Sequence, residues 1–97
     1  MESITEIIDQ ILAIIPENET ELRELLVNNR ACAEQSPESM HREWLNTIYE
    51  NLHISIFRHW NSFSSEAQRM AYLKQNHLEW QNELWLKCSH EWKIAYD

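Results

Sequence analysis

The spacing of apolar residues near the N-terminus predicts a helix. Apolar residues up to Ile15 recur at intervals of three and four, which is the spacing of one face of an α-helix. Ser3 with Glu6 forms a capping-box pattern before this run, and Pro16 disfavours helical geometry at the residue before it. A first helix is therefore predicted over residues 3–15.

A second, weaker apolar stripe follows the proline. Asn18 with Glu21 offers a further capping-box pattern, and a short run of leucines comes after it. The clearest boundary in the chain is Ser36-Pro37, because Ser is a natural N-cap and Pro is favoured at the first helical position. A second helix is therefore predicted over residues 19–33.

Two long helices are predicted after this boundary. The apolar residues of 37–61 cover about 200° of a helical wheel, which is wider than one-sided burial requires, so this helix is predicted to be central. Ser65 with Gln68 gives another capping box, and the main apolar face of 66–95 spans about 140°. Because a short loop joins them, the two helices are predicted to form a long antiparallel hairpin.

Composition favours the same all-α fold class. The chain of 97 residues suits a single domain over 1–97, and it contains no glycine and only two prolines. Tight β-turns depend on glycine, whereas helix interiors do not. The prediction is a small four-helix domain in which two short N-terminal helices precede the long hairpin.

The negative charge lies in one half of the chain. The formal net charge is −8; residues 1–50 hold eleven Asp and Glu against three Lys and Arg, and residues 51–97 hold five of each. An acidic surface does not suit a phosphate backbone, so direct nucleic-acid binding is not expected. It suits a protein partner with a basic surface, or else it keeps a small protein soluble. The candidate contacts for such a partner are Glu17, Glu19, Glu21 and Glu24.

No catalytic or cofactor motif is present. Without glycine the chain cannot contain a P-loop, a dinucleotide-binding fingerprint or a nucleophile elbow. The histidines form no H-x-x-x-H pair, and His41, His59 and His77 fall on predicted apolar faces, where we expect them to be mostly buried and hydrogen-bonded. Cys88 and His90 would point to different sides of a helix. We therefore predict that the protein is not an enzyme and binds neither a metal nor a cofactor.

Five tryptophans are many for a chain of this length. We expect Trp44, Trp80 and Trp92 in the core, where their volume fills space between helices. Trp and Tyr are favoured at interfaces because they are large and carry a polar group, and aromatic residues at the edge of a predicted stripe or outside it are better candidates for exposed contact with a partner. These candidates are Phe57, Trp60 and Trp85.

The two cysteines, Cys32 and Cys88, bear on the cellular compartment of the protein, because disulfides persist in oxidising compartments. Folding the predicted hairpin about residue 63 would bring Cys88 opposite residue 38, close enough to Cys32 for a disulfide to be allowed. The alternative is two buried thiols acting as small hydrophobic groups, as is common in cytoplasmic proteins. No run reaches the ~18 apolar residues of a membrane span, and the N-terminus lacks the features of a signal peptide. We expect a cytoplasmic protein, or a periplasmic one if a signal peptide has been removed.

The run L-N-x-x-Y-x-x-L at 45–52 is followed by Trp80 and, eight residues later, by Cys88, while Cys32 precedes the run. This pattern, over roughly residues 32–88, resembles the LprI-type lysozyme-inhibitor family. The resemblance implies a helical hairpin with a Cys32–Cys88 disulfide and inhibition of a cationic lysozyme in the cell envelope. The family usually has Gln where this chain has His77 and Arg where it has Leu84.

The function predicted from the sequence is non-enzymatic binding of another macromolecule, in the first place a protein, as an inhibitor or adaptor. One alternative is the LprI-like periplasmic lysozyme inhibitor. Another is a phage-type anti-defence protein whose glutamates occupy a nucleic-acid-binding groove in place of phosphates. A third is a homodimer whose exposed apolar stripe completes a larger bundle.

Overall fold

The chain folds as an assembly of helices. The computed structural model describes residues 2–96, and side chains as far as Lys93. Every regular element in that part of the chain is helical, which confirms the all-α fold class. The α-helices are α1 (Ile4–Ile14), α2 (Thr20–Glu34), α3 (His41–Ser55), α4 (Glu66–Gln75) and α5 (Glu79–Tyr96). Short 3₁₀ helices over Glu38–Met40 and Phe57–Ser62 lie before and after α3.

Two of the predicted N-caps are confirmed. The Ser3 hydroxyl accepts a hydrogen bond from the Glu6 backbone N–H at 3.2 Å, and the Ser65 hydroxyl accepts one from the Gln68 backbone N–H at 3.1 Å. Each bond satisfies an N–H group that has no partner inside its helix. The starts of α1 and α4 are therefore fixed by local sequence.

The two other predicted caps are wrong. α2 begins after Glu19, which makes no side-chain capping bond, so Asn18 is not its N-cap. The Ser36 hydroxyl donates to the carbonyl oxygen of Cys32 at 3.1 Å and accepts the indole N–H of Trp44 at 3.0 Å. Ser36 therefore connects the end of α2 to the side chain of Trp44, and it does not start a helix.

The predicted helix 37–61 is too long. α3 ends at Ser55, and after Ile56 the chain winds as the 3₁₀ helix Phe57–Ser62. A 3₁₀ helix has three residues per turn instead of 3.6, so its side chains point in directions that a continued α-helix would not give. The neighbours Ile56 and Phe57 are consequently both buried.

The predicted helix 66–95 is divided into two. α4 ends at Gln75 and α5 begins at Glu79. Between them His77 has a φ of 58°, and it is the sole residue with positive φ among those that the structure describes. The chain bends at this point, and the long hairpin predicted from the sequence does not form.

The bend between α4 and α5 has the hydrogen bonds of a Schellman motif. The Leu78 N–H donates to the Leu73 carbonyl at 2.8 Å, and the His77 N–H donates to the Lys74 carbonyl at 3.3 Å. The left-handed residue of this motif is usually glycine, because a Cβ atom is crowded there. This chain has no glycine, and His77 takes the position.

The hydrophobic core lies among α1, α2, α3 and α5. α3 contacts each of the other three, so it is packed by more than one neighbour, as its wide apolar arc predicted; α1 also contacts the other three and shares the central position. Leu73 of α4 is also buried, but outside this core cluster. The core residues are Ile4, Ile7, Ile8, Ile11, Ile15, Leu22, Leu26, Ala33, Leu45, Ile48, Leu52, Ile56, Phe57, Leu84 and Cys88.

Polar side chains connect the helices around the core. Arg30 of α2 donates to both carboxylate oxygens of Asp9 on α1, at 2.7 and 3.1 Å. This hydrogen-bonded pair lowers the pKa of Asp9 and raises that of Arg30. Between α2 and α3, the Asn51 amide donates to the Asn29 amide oxygen at 3.0 Å.

Candidate interaction surfaces

Four glutamates lie together where α1 is joined to α2, and we call this group the acidic end. Glu17 and Glu19 lie in the connection, whereas Glu21 and Glu24 lie at the start of α2. Glu19 is half-buried and the other three are exposed. The carboxylates predicted to contact a partner thus occupy one end of the domain.

Arg23 lies between these glutamates in the sequence, but its guanidinium binds backbone carbonyls instead of their carboxylates. Its guanidinium donates to the carbonyl oxygens of Leu12 at 2.7 Å and Ile15 at 2.8 Å. Carbonyls in the last turn of a helix have no intrahelical partner, so Arg23 satisfies the end of α1. The sequence analysis missed this role. A cation in the first turn of a helix opposes the helix dipole, which could have indicated a use outside its own helix.

No cation in the described part of the chain pairs with the acidic end. Its four side chains form no ion pair or hydrogen bond with any residue that the structure describes. Several other carboxylates do have such partners. These pairs are Asp9 and Glu34 with Arg30, Glu66 with Arg69, and Glu2 and Glu91 with Lys87.

Five aromatic side chains from α3, the second 3₁₀ helix and α5 form a cluster, which we call the aromatic cluster: Tyr49, Phe57, Trp60, Trp85 and Trp92. The Phe57 ring centroid lies 5.1 Å from those of both Trp60 and Trp85, in edge-on geometry. The Tyr49 centroid lies 5.1 Å from that of Trp92 and 6.2 Å from that of Trp85. Burial raises the pKa of Tyr49. The sequence analysis did not identify Tyr49 as a centre of these contacts.

The prediction of Phe57 as an exposed contact is wrong, because the side chain is only 4% exposed. The change from α-helix to 3₁₀ helix turns it into the core. Trp60 and Trp85 are half-buried, and both pack against the core. The Trp60 indole N–H donates to the Gln81 side-chain oxygen at 3.3 Å, and the Arg69 guanidinium lies 4.3 Å from its ring centroid. Contact of either tryptophan with a partner stays a prediction.

A groove of about 380 Å³ lies beside the bend between α4 and α5. Its walls include Phe63 and Tyr72, whose ring centroids are 5.2 Å apart, and the two leucines of the Schellman motif, Leu73 and Leu78. Tyr72 is 46% exposed. The groove could not be predicted from the sequence, because the apolar spacing placed Tyr72, Leu73 and Leu78 on one continuous helix.

A second groove, of about 680 Å³, lies between the start of α1 and the connection from α2 to α3. It carries both signs of charge, since Glu2, Glu34 and Glu38 line it together with Arg42. Hydroxyls of Ser3, Thr5, Ser36 and Ser39 complete its polar lining. This mixture favours no single class of charged ligand.

Cys32 and Cys88 are free thiols, so the disulfide implied by the family resemblance is not formed. Cys32 is exposed on α2. Cys88 is buried and lines a small cavity together with Leu45 and Tyr49 of α3. The predicted hairpin had instead placed Cys88 opposite residue 38, which lies before α3 begins. The predicted hairpin turned near residue 63. The helix breaks after Ile56 and at His77 lie on either side of that turn, and they shift the pairing of α5 against α3. Burial raises the pKa of the Cys88 thiol to about 12, with a smaller contribution from the charge of Glu91.

The histidines form no cluster that could ligate a metal. Among the described residues, no group of three or more His, Cys, Asp or Glu is arranged to hold a metal ion. The expectation of buried histidines is wrong for His59 and His77, which are exposed, and His41 is half-buried. No helix in the described part of the chain has the length and hydropathy needed to cross a membrane.

Comparison with known proteins gives no relative: no family model matches the chain, and no curated protein or solved structure is significantly similar to it. The features that bear on function are therefore those of the chain itself. They are the acidic end, the half-buried tryptophans and the two grooves.

Proposed function

We propose that this protein is a non-enzymatic binding domain that uses the acidic end to bind a basic surface of another protein, as an inhibitor or an adaptor. One observation carries the proposal: the four carboxylates at this end have no cation from their own chain among the described residues. Like charges held close together disfavour the compact state. A basic partner would supply the missing cations.

Electrostatics alone would not hold such a complex together. Exposed ion pairs each contribute roughly 0–1 kcal/mol, whereas complementary charge raises the association rate and excludes wrong partners. The acidic end would therefore guide and orient the partner. Affinity would come from apolar contact, for which the exposed parts of Trp60 and Trp85 are the candidates.

Two of the alternatives name a basic partner. A cationic lysozyme is the partner implied by the resemblance to the LprI-type family, but that family's disulfide is not formed here. A basic groove of a nucleic-acid-handling complex would accept the four glutamates in place of phosphates, and this version requires no cross-link. Both versions require the same acidic end.

The test compares two variants with the same net charge. One replaces the acidic end: Glu17→Gln, Glu19→Gln, Glu21→Gln and Glu24→Gln. Its control replaces four exposed glutamates elsewhere: Glu43→Gln, Glu50→Gln, Glu79→Gln and Glu83→Gln. Each protein is immobilised and exposed to native extract, and proteins retained by the wild type and the control but not by the acidic-end variant are purified.

Binding of such a purified partner is then measured by calorimetry at low salt and at about 0.15 M salt, where charges more than about 8 Å apart are largely screened. We expect the acidic-end variant to bind roughly tenfold to thirtyfold more weakly, from four exposed pairs of about 0.5 kcal/mol each. Cationic lysozyme is tested directly as a defined probe, with its enzymatic activity as the readout. Equal weakening by both variants, or binding that ignores salt, would contradict the proposal.

A further inference from the structure

The bend between α4 and α5 contains no residue that would prevent a helix, and its local side-chain support is the hydrogen bond from the Asn76 amide to the Tyr72 carbonyl at 2.8 Å. The segment from Lys74 to Trp80 contains no glycine, no proline and no β-branched residue, all of which would disfavour a helix. His77 instead adopts the left-handed conformation, which crowds the Cβ atom of any residue other than glycine. The sequence of the bend therefore does not exclude a straight helix, and the observed bend places a residue other than glycine in a crowded conformation.

The side chains on either side of the bend would also suit a straight helix. Leu73, Trp80, Leu84 and Cys88 are separated by seven, four and four positions, which places them on one face. A single helix over residues 66–96 would be about 46 Å long at 1.5 Å per residue. It would carry this apolar face almost from end to end.

α5 supplies much of the surface that the rest of the core needs. Leu84 and Cys88 are buried in the core, and α5 contacts both α1 and α3. Trp85 and Trp92 complete the aromatic cluster by packing on Tyr49. If the bend straightens, α5 leaves this position, and the exposed surface of α1 and α3 is then complementary to an α5 from another copy of the chain.

We propose that residues 76–78 form a hinge that interconverts the monomer described above and a dimer in which two copies exchange α5. In the dimer the hinge is helical in both copies, and each α5 packs against α1 and α3 of the other copy. The core contacts, the aromatic cluster and the ion pair between Lys87 and Glu2 (3.8 Å in the monomer) re-form between copies. The two forms differ in the hinge and in the packing of α4 against α5, so the conformational preference of the hinge, this packing and the protein concentration set the equilibrium.

Substitutions at His77 test the hinge in opposite directions. His77→Gly favours the left-handed bend and disfavours helix, so it should hold the protein as a monomer. His77→Ala disfavours the bend and favours helix, so it should promote the dimer. Since each dimer contains two hinges, we expect the dimer dissociation constants of the two variants to differ by at least about a hundredfold. The measurement is sedimentation equilibrium from micromolar to millimolar concentration, after circular dichroism has shown that each variant is folded.

His90→Ala is the matched control, because His90 is exposed on α5 and lies away from the hinge. It raises helix propensity equally and should leave the dissociation constant unchanged. The proposal is overturned if His77→Ala and His77→Gly dimerise alike or not at all, or if His90→Ala promotes the dimer as strongly as His77→Ala.

Isotope mixing distinguishes exchange of α5 from side-by-side association. Light and heavy chains of His77→Ala are unfolded together, refolded, and isolated as a dimer. A zero-length carbodiimide cross-linker then joins Lys87 to Glu2. Exchange of α5 predicts cross-linked peptides that combine light and heavy chains, as seen by mass spectrometry. Cross-links confined to one isotope would show a side-by-side dimer and overturn the proposal.

Discussion

The chain turns sharply between α1 and α2 and again between α4 and α5, and the two junctions are determined differently. At the first, Pro16 stops the helix, and Arg23 donates to carbonyls that the stop leaves without partners. At the second there is neither glycine nor proline, and His77 takes the left-handed position. The first junction is specified by residues that cannot continue a helix, whereas the second is not.

The second junction must therefore be held by contacts formed after folding. Leu73 is buried at the end of α4, and its carbonyl accepts the Leu78 N–H across the bend. Beyond the bend, Leu84 and Cys88 enter the core. Burial of these side chains offsets the unfavourable conformation of His77. A helix break can thus be stabilised by tertiary structure in a sequence that contains no residue incompatible with a helix.

Removing the apolar contact at the second junction should have the largest effect. Leu73→Ala deletes a side chain that is only 1% exposed, so we expect the free energy of unfolding to fall by about 3 kcal/mol. Leu86→Ala is the control, because Leu86 is 60% exposed on α5 and should change stability by less than about 0.5 kcal/mol. Urea unfolding followed by circular dichroism measures both. Equal losses would show that the second junction does not depend on Leu73.

Arg23→Ala tests the first junction in the same way. It removes two charged hydrogen bonds to partly buried carbonyls, and we expect a loss of about 2 kcal/mol. Hydrogen exchange should also become faster at the end of α1. Arg58→Ala, at an exposed position, is the control and should be close to neutral. A neutral Arg23→Ala would mean that Pro16 alone determines this junction.

Glycine substitution should stabilise one junction and not the other. His77→Gly relieves the left-handed conformation and should raise the free energy of unfolding of the monomer by about 1 kcal/mol. Asn18→Gly at the first junction has no positive φ to relieve, so it should give no gain. Thermal unfolding at micromolar concentration measures both. A gain at both sites, or at neither, would remove the distinction drawn between the junctions.

The smallest effect on the free energy of unfolding at neutral pH is expected from substitution of the cysteines. The reactivity of their thiols reports whether α5 is packed in the core. Cys32 should react with an alkylating reagent in the native state, and Cys88 only after α5 leaves the core. The pKa of the Cys88 thiol is raised from 9.0 to about 12, so its contribution to stability is complete below pH 9 and is lost as the pH rises towards 12. Cys88→Ala should lack this part of the alkaline loss, and Cys32→Ser should keep it. Two thiols that react equally fast in the native protein would contradict the burial of Cys88.

The sequence was sufficient to predict helix ends where a residue restricts the backbone directly. Ser3, Ser65 and Pro16 mark helix ends that the structure confirms to within a residue or two, and the wide apolar arc of 37–61 indicated that α3 packs against several neighbours. The position of the acidic end follows from the chain itself, since its glutamates lie within eight consecutive residues.

The sequence was insufficient where long-range contacts override local preference. Nothing near Ile56 requires a 3₁₀ helix, yet that change buries Phe57 and makes its prediction as an exposed contact wrong. The spacing of apolar residues also continues without interruption through His77. The register of Cys88 against α3 was wrong for the same reason, because both breaks alter how α5 meets its neighbours.

The hydrogen bond between Asn29 and Asn51 favours one alignment of α2 against α3. Leucine and isoleucine side chains would bury similar area if one helix slid past the other by a turn, about 5.4 Å. Such a slide would separate the two amides and leave partly buried donors and acceptors unsatisfied. A polar pair of this kind excludes competing arrangements more than it adds stability. Replacing both asparagines with leucine would therefore give a domain that still folds but samples more than one helix alignment.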